Sequence, residues 1–305
     1  MRIQEAFIVL IFGAMILAAM LVGQKPDERY FPLREWAGKD EFVPDSSGPI
    51  WIEPETGMEF VWVKGGCFEM GCSAEVWQCN SNEYPVHKVC LDGFWIGKYL
   101  VTQKQWLRLL EENPSFFRQN ADHPVENLSW HDARKYIDRL NMSKGKDVFR
   151  LPTEAQWEYA CRDNGSMINY SGSMDPEAVA WHRGNSGNST RPVGSRMPNK
   201  LGLFDMSGNV FEWVRDVYGE GAYGRHNLHN PIVETGMGPA YDRYLSIIEP
   251  YIGGDKFRVI RGGSWRHPST AARCSNRYFM ASGSRQNYLG FRIAADLPAP
   301  INIER

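Results

Sequence analysis

Neither sign of charge dominates this chain, and no stretch of it is strongly basic. Lys and Arg number 34 against 36 Asp and Glu, a net charge of −2. That balance supplies no positive field to track phosphates, which excludes nucleic acid as a partner. No C-x2-C pair is present, which argues against a zinc ribbon or finger. No tandem repeat appears either, so a solenoid or propeller is not expected. Beyond residue 23 the sequence also has few long aliphatic runs. What it has instead is 11 Trp and 29 Gly in 305 residues. Such a composition points to a loop-rich fold held by aromatic packing rather than to a helical bundle.

The one long apolar run lies at the start. Ala6 to Gly23 is 18 residues without a charge, just long enough to cross a bilayer. Arg2 precedes it, with Glu5 partly offsetting the positive-inside cue. No Ala-x-Ala cleavage site is well placed after it, and no cysteine follows to carry a lipid. The expectation is a transmembrane anchor over 1–23, a cleaved signal peptide being the alternative. The bulk of the chain is then exported, periplasmic or extracellular. Residues 24–50 hold Pro26, Pro32, Pro44 and Pro49 without periodicity and read as an extended tether. The folded domain is expected over 51–305.

Cysteine usage agrees with export. Cys67, Cys72, Cys79, Cys90, Cys161 and Cys274 are an even number, which reads as disulfides. A nested pairing of Cys67 with Cys90 and Cys72 with Cys79 would leave Cys161 and Cys274 for each other. That is one of several arrangements six cysteines allow. Cys274 stands among Arg261, Arg266, Arg273 and Arg277. A thiol there suits a nucleophile activated by basic neighbours, a metal ligand, or half of a disulfide.

Local patterns place the elements. Glu59–Val63 alternates and meets Gly65-Gly66, as a strand meets a turn. Val89 to Tyr99 is a second strand region, interrupted by Gly93 and Gly97. Thr102 caps a helix over 103–112, with Trp106, Leu109 and Leu110 on one face. Ser129 caps another, with Ala133, Tyr136, Ile137 and Leu140 at helical spacing. Thr153 starts a third, in which Trp157, Ala160 and Cys161 face the core. Regular structure then thins out to Asn199. The last strands are expected at 257–260 and 290–294.

Seven stretches, taken in order, carry a resemblance. They are FVWVKGGCFEMG (60–71), PVHKVCLDGFWIGKYLVTQKQW (85–106), PVENLSWHDARKYIDRLN (124–141), RLPTEAQWEYACR (150–162), GLFDMSGNVFEWVRD (202–216), RVIRGGSW (258–265) and LGFRIA (289–294). Together they resemble the formylglycine-generating enzyme, or sulfatase-modifying factor, family from about Glu59 to Ala295. The resemblance implies an α+β domain related to the C-type-lectin fold, loop-rich with short antiparallel sheets and bound calcium. Oxidases and pure binding proteins share that fold, so fold alone does not fix the activity.

The resemblance also locates what is missing. Members that make formylglycine carry two cysteines just after the GGSW motif, and the thiolate pair binds copper. Here Gly262-Gly263-Ser264-Trp265 is followed by Arg266, His267, Pro268, Ser269, Thr270, Ala271 and Ala272. His267 or a neighbour takes the first cysteine's place, and the second is absent. No copper is expected, and the formylglycine reaction is not expected. The family's active-site cleft maps onto Trp265, Arg266, His267 and Arg277, where aromatic and guanidinium groups suit an acidic peptide or small polar ligand. A structural calcium is implied at Asp205, the carbonyls of Gly208 and Val210, and Glu212. The alternative is that Asp205 caps a turn and Glu212 pairs with Arg261 or Arg292.

His226 and His229 form an i, i+3 pair that reads as a solvated loop more readily than as a metal site. The run DRYLSIIEPYI (242–252) is partly in helical register and suits a docking ridge or a flap. Together these readings predict a non-catalytic, membrane-anchored accessory subunit of a membrane complex, structural or ligand-binding. The competing expectation is a metal-dependent oxidase acting on a periplasmic peptide or metabolite, with His267 among its ligands.

Overall fold

The computed structural model describes residues 43–45, 48–72, 79–235 and 256–300. The expected anchor over 1–23 and the 242–252 run lie outside the described residues. Among those described, no helix is long and apolar enough to cross a membrane.

Among the described residues, twelve strands form two sheets and a hairpin. The larger sheet runs β1 (Val43–Asp45), β2 (Gly48–Ile52), β3 (Glu59–Val63), β6 (Phe94–Gly97), β12 (Ala294–Ala295) and β7 (Phe149–Arg150). The smaller runs β10 (Arg277–Ala281), β9 (Phe257–Arg261), β8 (Phe211–Val217) and β11 (Leu289–Phe291). The separate hairpin pairs β4 (Gly66–Met70) with β5 (His87–Leu91). The short antiparallel sheets of the expectation are present, with one departure: β11 lies parallel to β8.

Two expected boundaries move. At the end of the tether, Val43–Asp45 pairs antiparallel with Gly48–Ile50 and joins the larger sheet through β3, so the folded part begins before Trp51. The region Val89 to Tyr99 is two strands in two different sheets. The chain crosses between them at Asp92-Gly93, where the Trp62 ring occupies the space a Cβ on Gly93 would need.

Three helices open as their sequences dictate. Thr102, Ser129 and Thr153 each accept the N3 amide in a capping box closed by Gln105, Asp132 and Gln156. Helix α1 (Gln103–Leu109) stops short of the expected Glu112, because the Trp106 indole donates to the Glu112 carbonyl at 2.7 Å and folds that segment back. Helix α2 (Trp130–Lys144) buries Ala133, Tyr136, Ile137 and Leu140 and ends at Gly145, whose φ of 63° only glycine adopts without strain. Helix α3 (Glu154–Cys161) is buried on every side, so its two glutamates are buried along with its apolar residues. A single turn, α4 (Pro176–Val179), interrupts the irregular stretch that follows.

Aromatic packing dominates the core, as the composition implied. Trp51 stacks on Phe149 with centroids 5.8 Å apart, and Trp106 stacks on Tyr136 at 5.3 Å. All six cysteines are paired: Cys67–Cys90 across β4 and β5, Cys72–Cys79, and Cys161–Cys274. Of the three roles open to Cys274, the structure holds the disulfide.

Candidate functional site

Strand β9 ends at Arg261 and turns through Gly262 and Gly263, both at positive φ. The turn needs glycine, because a Cβ on Gly263 would lie 2.8 Å from the Ala271 backbone. It delivers Ser264, Trp265, Arg266 and His267 to one face. Trp265 is buried, its indole donating to the Asn287 carbonyl at 3.0 Å. Arg266 is exposed and lies over the Tyr288 ring, 5.7 Å from its centroid. His267 is half-buried between Phe211 and Tyr288, each about 5.0 Å away and edge-on. Its Nδ1 sits 2.6 Å from the Ser264 hydroxyl, and its carbonyl accepts the Arg183 amide at 2.9 Å. Burial, then the charges of Arg266 and Arg183, hold the imidazole below its ordinary pKa.

Arg277 does not join them. It is buried and clamps Glu154 with Nε at 2.8 Å and Nη2 at 2.7 Å, its guanidinium 4.3 Å from the Tyr223 ring centre. Placing it in the cleft is therefore corrected. The cause is β-strand geometry: Arg277 opposes Arg261 across β9 and β10, and both reach the glutamates of α3. Arg261 pairs with Glu158, Arg162 backs Glu158 at 3.1 Å, and Arg273 takes both oxygens of Glu83. Burial pushes the Glu154 carboxyl up, but Arg277 and Arg261 outweigh it and hold it below the ordinary carboxylate value.

The loop proposed for calcium is equally closed. Asp205, at φ 55°, accepts the Gly194 amide at 2.8 Å and the Asn209 amide group at 3.3 Å. Glu212 Oε2 accepts Arg292 Nε at 2.7 Å, while its buried Oε1 has no hydrogen-bonded partner. The Trp157 indole faces Glu212 without hydrogen-bond geometry. Burial raises both carboxyl pKa values, and the Asp205 charge raises that of Glu212 further. Two buried carboxylates share one guanidinium here, and Asp205 and the unpartnered Glu212 Oε1 are hard oxygen donors of the kind calcium takes. The alternative pairing of Glu212 with an arginine is present, with Arg292 occupying one of its two oxygens.

His226 and His229 are not paired. His229 is exposed beside Cys90, whereas His226 turns inward and its Nδ1 lies 2.9 Å from His87 Nε2. Burial lowers the His226 pKa to about 4, so its imidazole is neutral at physiological pH.

Ser264, Phe211, Tyr288 and Arg183 complete the surroundings of His267 and were not singled out from sequence. Ser264 and Phe211 carry a sequence signal, lying within the GGSW and GLFDMSGNVFEWVRD stretches. Phe211 stands at the start of β8, and Arg183 and Tyr288 arrive from two distant loops.

A model of the sulfatase-modifying factor enzyme 1-like domain matches residues 52–297. The chaperone protein LppX of Paenibacillus barcinonensis is 34% identical over 206 residues, which cover 51% of this chain and 70% of LppX. The formylglycine-generating enzyme of Mus musculus is 33% identical over 193 residues, 58% of this chain but 45% of that enzyme. Among solved structures, PvdO from Pseudomonas aeruginosa superposes with a TM-score of 0.63 at 26% identity, covering 81% of this chain and 98% of PvdO. Match and motifs coincide over the same residues, and the chain belongs to the sulfatase-modifying factor enzyme 1-like family.

Proposed function

We propose that this protein is a non-catalytic member of its family, exported and held at a membrane by residues 1–23. There it serves as a ligand-binding accessory subunit of a membrane assembly. The observation that carries the reading is the Cys161–Cys274 disulfide. Formylglycine chemistry needs two free thiolates beyond GGSW; this chain has one cysteine there, and its sulfur is spent. His267 stands instead at the head of that segment, locked to Ser264. The similarity to a protein named as a chaperone supports a binding role on other polypeptides. Asp205, Glu212 and the carbonyls of Gly208 and Val210 would hold a structural calcium, whose charge would balance the buried carboxylates.

Elemental analysis of the purified full chain, with oxygen uptake on a cysteine-containing sulfatase peptide, tests this reading. Calcium near one equivalent and no oxygen uptake are expected. Stoichiometric copper or iron together with turnover would replace it with the metal-dependent oxidase.

A further inference from the structure

The face beside His267 presents donors. Ser264 Oγ accepts the Arg266 amide at 3.3 Å and lies 2.6 Å from His267 Nδ1. The Ser264 hydroxyl proton has no other acceptor among the described residues, so it points at Nδ1 and the neutral ring carries its hydrogen on Nε2. Nε2 has no protein partner among the described residues and is open to solvent. Arg183 and Arg266 are both exposed, and neither has an ion-pair partner among the described residues. Glu177, on α4 just before Arg183 in the chain, is held by His182 at 2.8 Å and Asn185 at 2.9 Å. An apolar contact adjoins these donors: Phe117 packs on Trp265 at 5.2 Å, and Phe116, 67% exposed, packs on Phe117 at 5.0 Å.

We propose that this face binds an acidic segment of a partner polypeptide. A carboxylate is taken by the Arg183 and Arg266 guanidiniums and by His267 Nε2–H, while a neighbouring apolar side chain settles on Phe116. The chemistry is charge complementarity with an anion of hydrogen-bond-accepting oxygens, for which planar guanidinium forks are well shaped. A large exposed aromatic beside them favours a peptide over a free inorganic anion. This inference rests on the binding role proposed above and names the ligand class.

The test titrates the full chain with acetyl-Phe-Asp-Asp-amide, its Asn-for-Asp counterpart, and inorganic phosphate. Saturable binding of the acidic peptide is expected, weakened at least tenfold in the Asn peptide and in the Arg183→Gln/Arg266→Gln variant. Phe116→Ser should weaken the peptide several-fold and leave phosphate unchanged. Because Arg183, Arg266 and Tyr288 surround the ring, a seated carboxylate should also move the His267 titration midpoint upward, read by NMR. No peptide binding, equal binding of the Asn peptide, or indifference to both arginines would overturn the proposal. Phosphate binding as tight as peptide, with no effect of Phe116→Ser, would overturn it in favour of a free anion. None of these outcomes bears on metal content or oxygen uptake, so failure here is separable from failure of the non-catalytic reading.

Discussion

Glu154 and Glu126 are equally buried, and the molecule treats them in opposite ways. Glu154 lies in the ionic layer under β9 and β10, where Arg277 and Arg261 outweigh burial and keep it charged. Glu126 lies under the 113–117 loop at the rim of the donor face. There it accepts the Phe117 amide at 2.8 Å, one oxygen is unpartnered, and burial raises its pKa to about 7. Arg118 acts on it only weakly, its Nε and Nη2 being spent on the Ser115 and Asn113 carbonyls. The same contrast divides the arginines of one short stretch. Arg261, Arg273 and Arg277 face in and are paired, whereas Arg266 faces out. Equal burial and equal residue type therefore say little about role. Counter-charges within reach decide whether a group is framework or stays available.

Breaking the ionic layer should cost most. Arg277→Met leaves Glu154 without its bidentate partner and should lower stability by about 3–5 kcal/mol in chemical denaturation, whereas Arg266→Gln should stay within about 0.5 kcal/mol. Equal losses in the two variants would erase the distinction between the regions. Removing the Cys161–Cys274 bridge by paired alanines comes next, at about 2–4 kcal/mol, because it frees a long loop of unfolded chain. Binding of the acidic peptide should survive that change under conditions where the variant is folded, since the bridge is fully buried and supplies none of the donors of that face.

The smallest effect concerns Glu126. Its pKa is raised on folding, so its contribution is present below the unfolded value near 4.3 and is lost as pH rises through about 7. Glu126→Gln should remove part of that decline, a gain of roughly 2 kcal/mol at pH 8 relative to pH 5, measured by paired denaturation curves. A profile identical to that of the unsubstituted chain would mean that the loop opens to water around the carboxylate.

Local chemistry made much of the fold legible. The three capping boxes, the apolar spacing of α2, the even cysteine count and the family's seven stretches are all short-range or ordered along the chain, and all reappear in the structure. The end of α1 and the split at Asp92-Gly93 were not legible, because each depends on an indole or strand packed from elsewhere. The candidate site was half legible. GGSW located His267, but period-two reasoning cannot tell whether Arg277 reaches a glutamate on α3 or solvent, since that depends on what lies opposite.

By itself, then, the sequence determined the family, the helix starts and the absence of a second thiol beyond GGSW, because each is a matter of which residues follow which. Only the tertiary structure decided that Cys274 meets Cys161, that His226 turns to His87, and that Arg183 and Arg266 stand beside His267 without an ion-pair partner among the described residues. Those outcomes rest on charges and sulfurs brought together across long loops, and Coulomb energy and bond geometry depend on distance in space rather than along the chain.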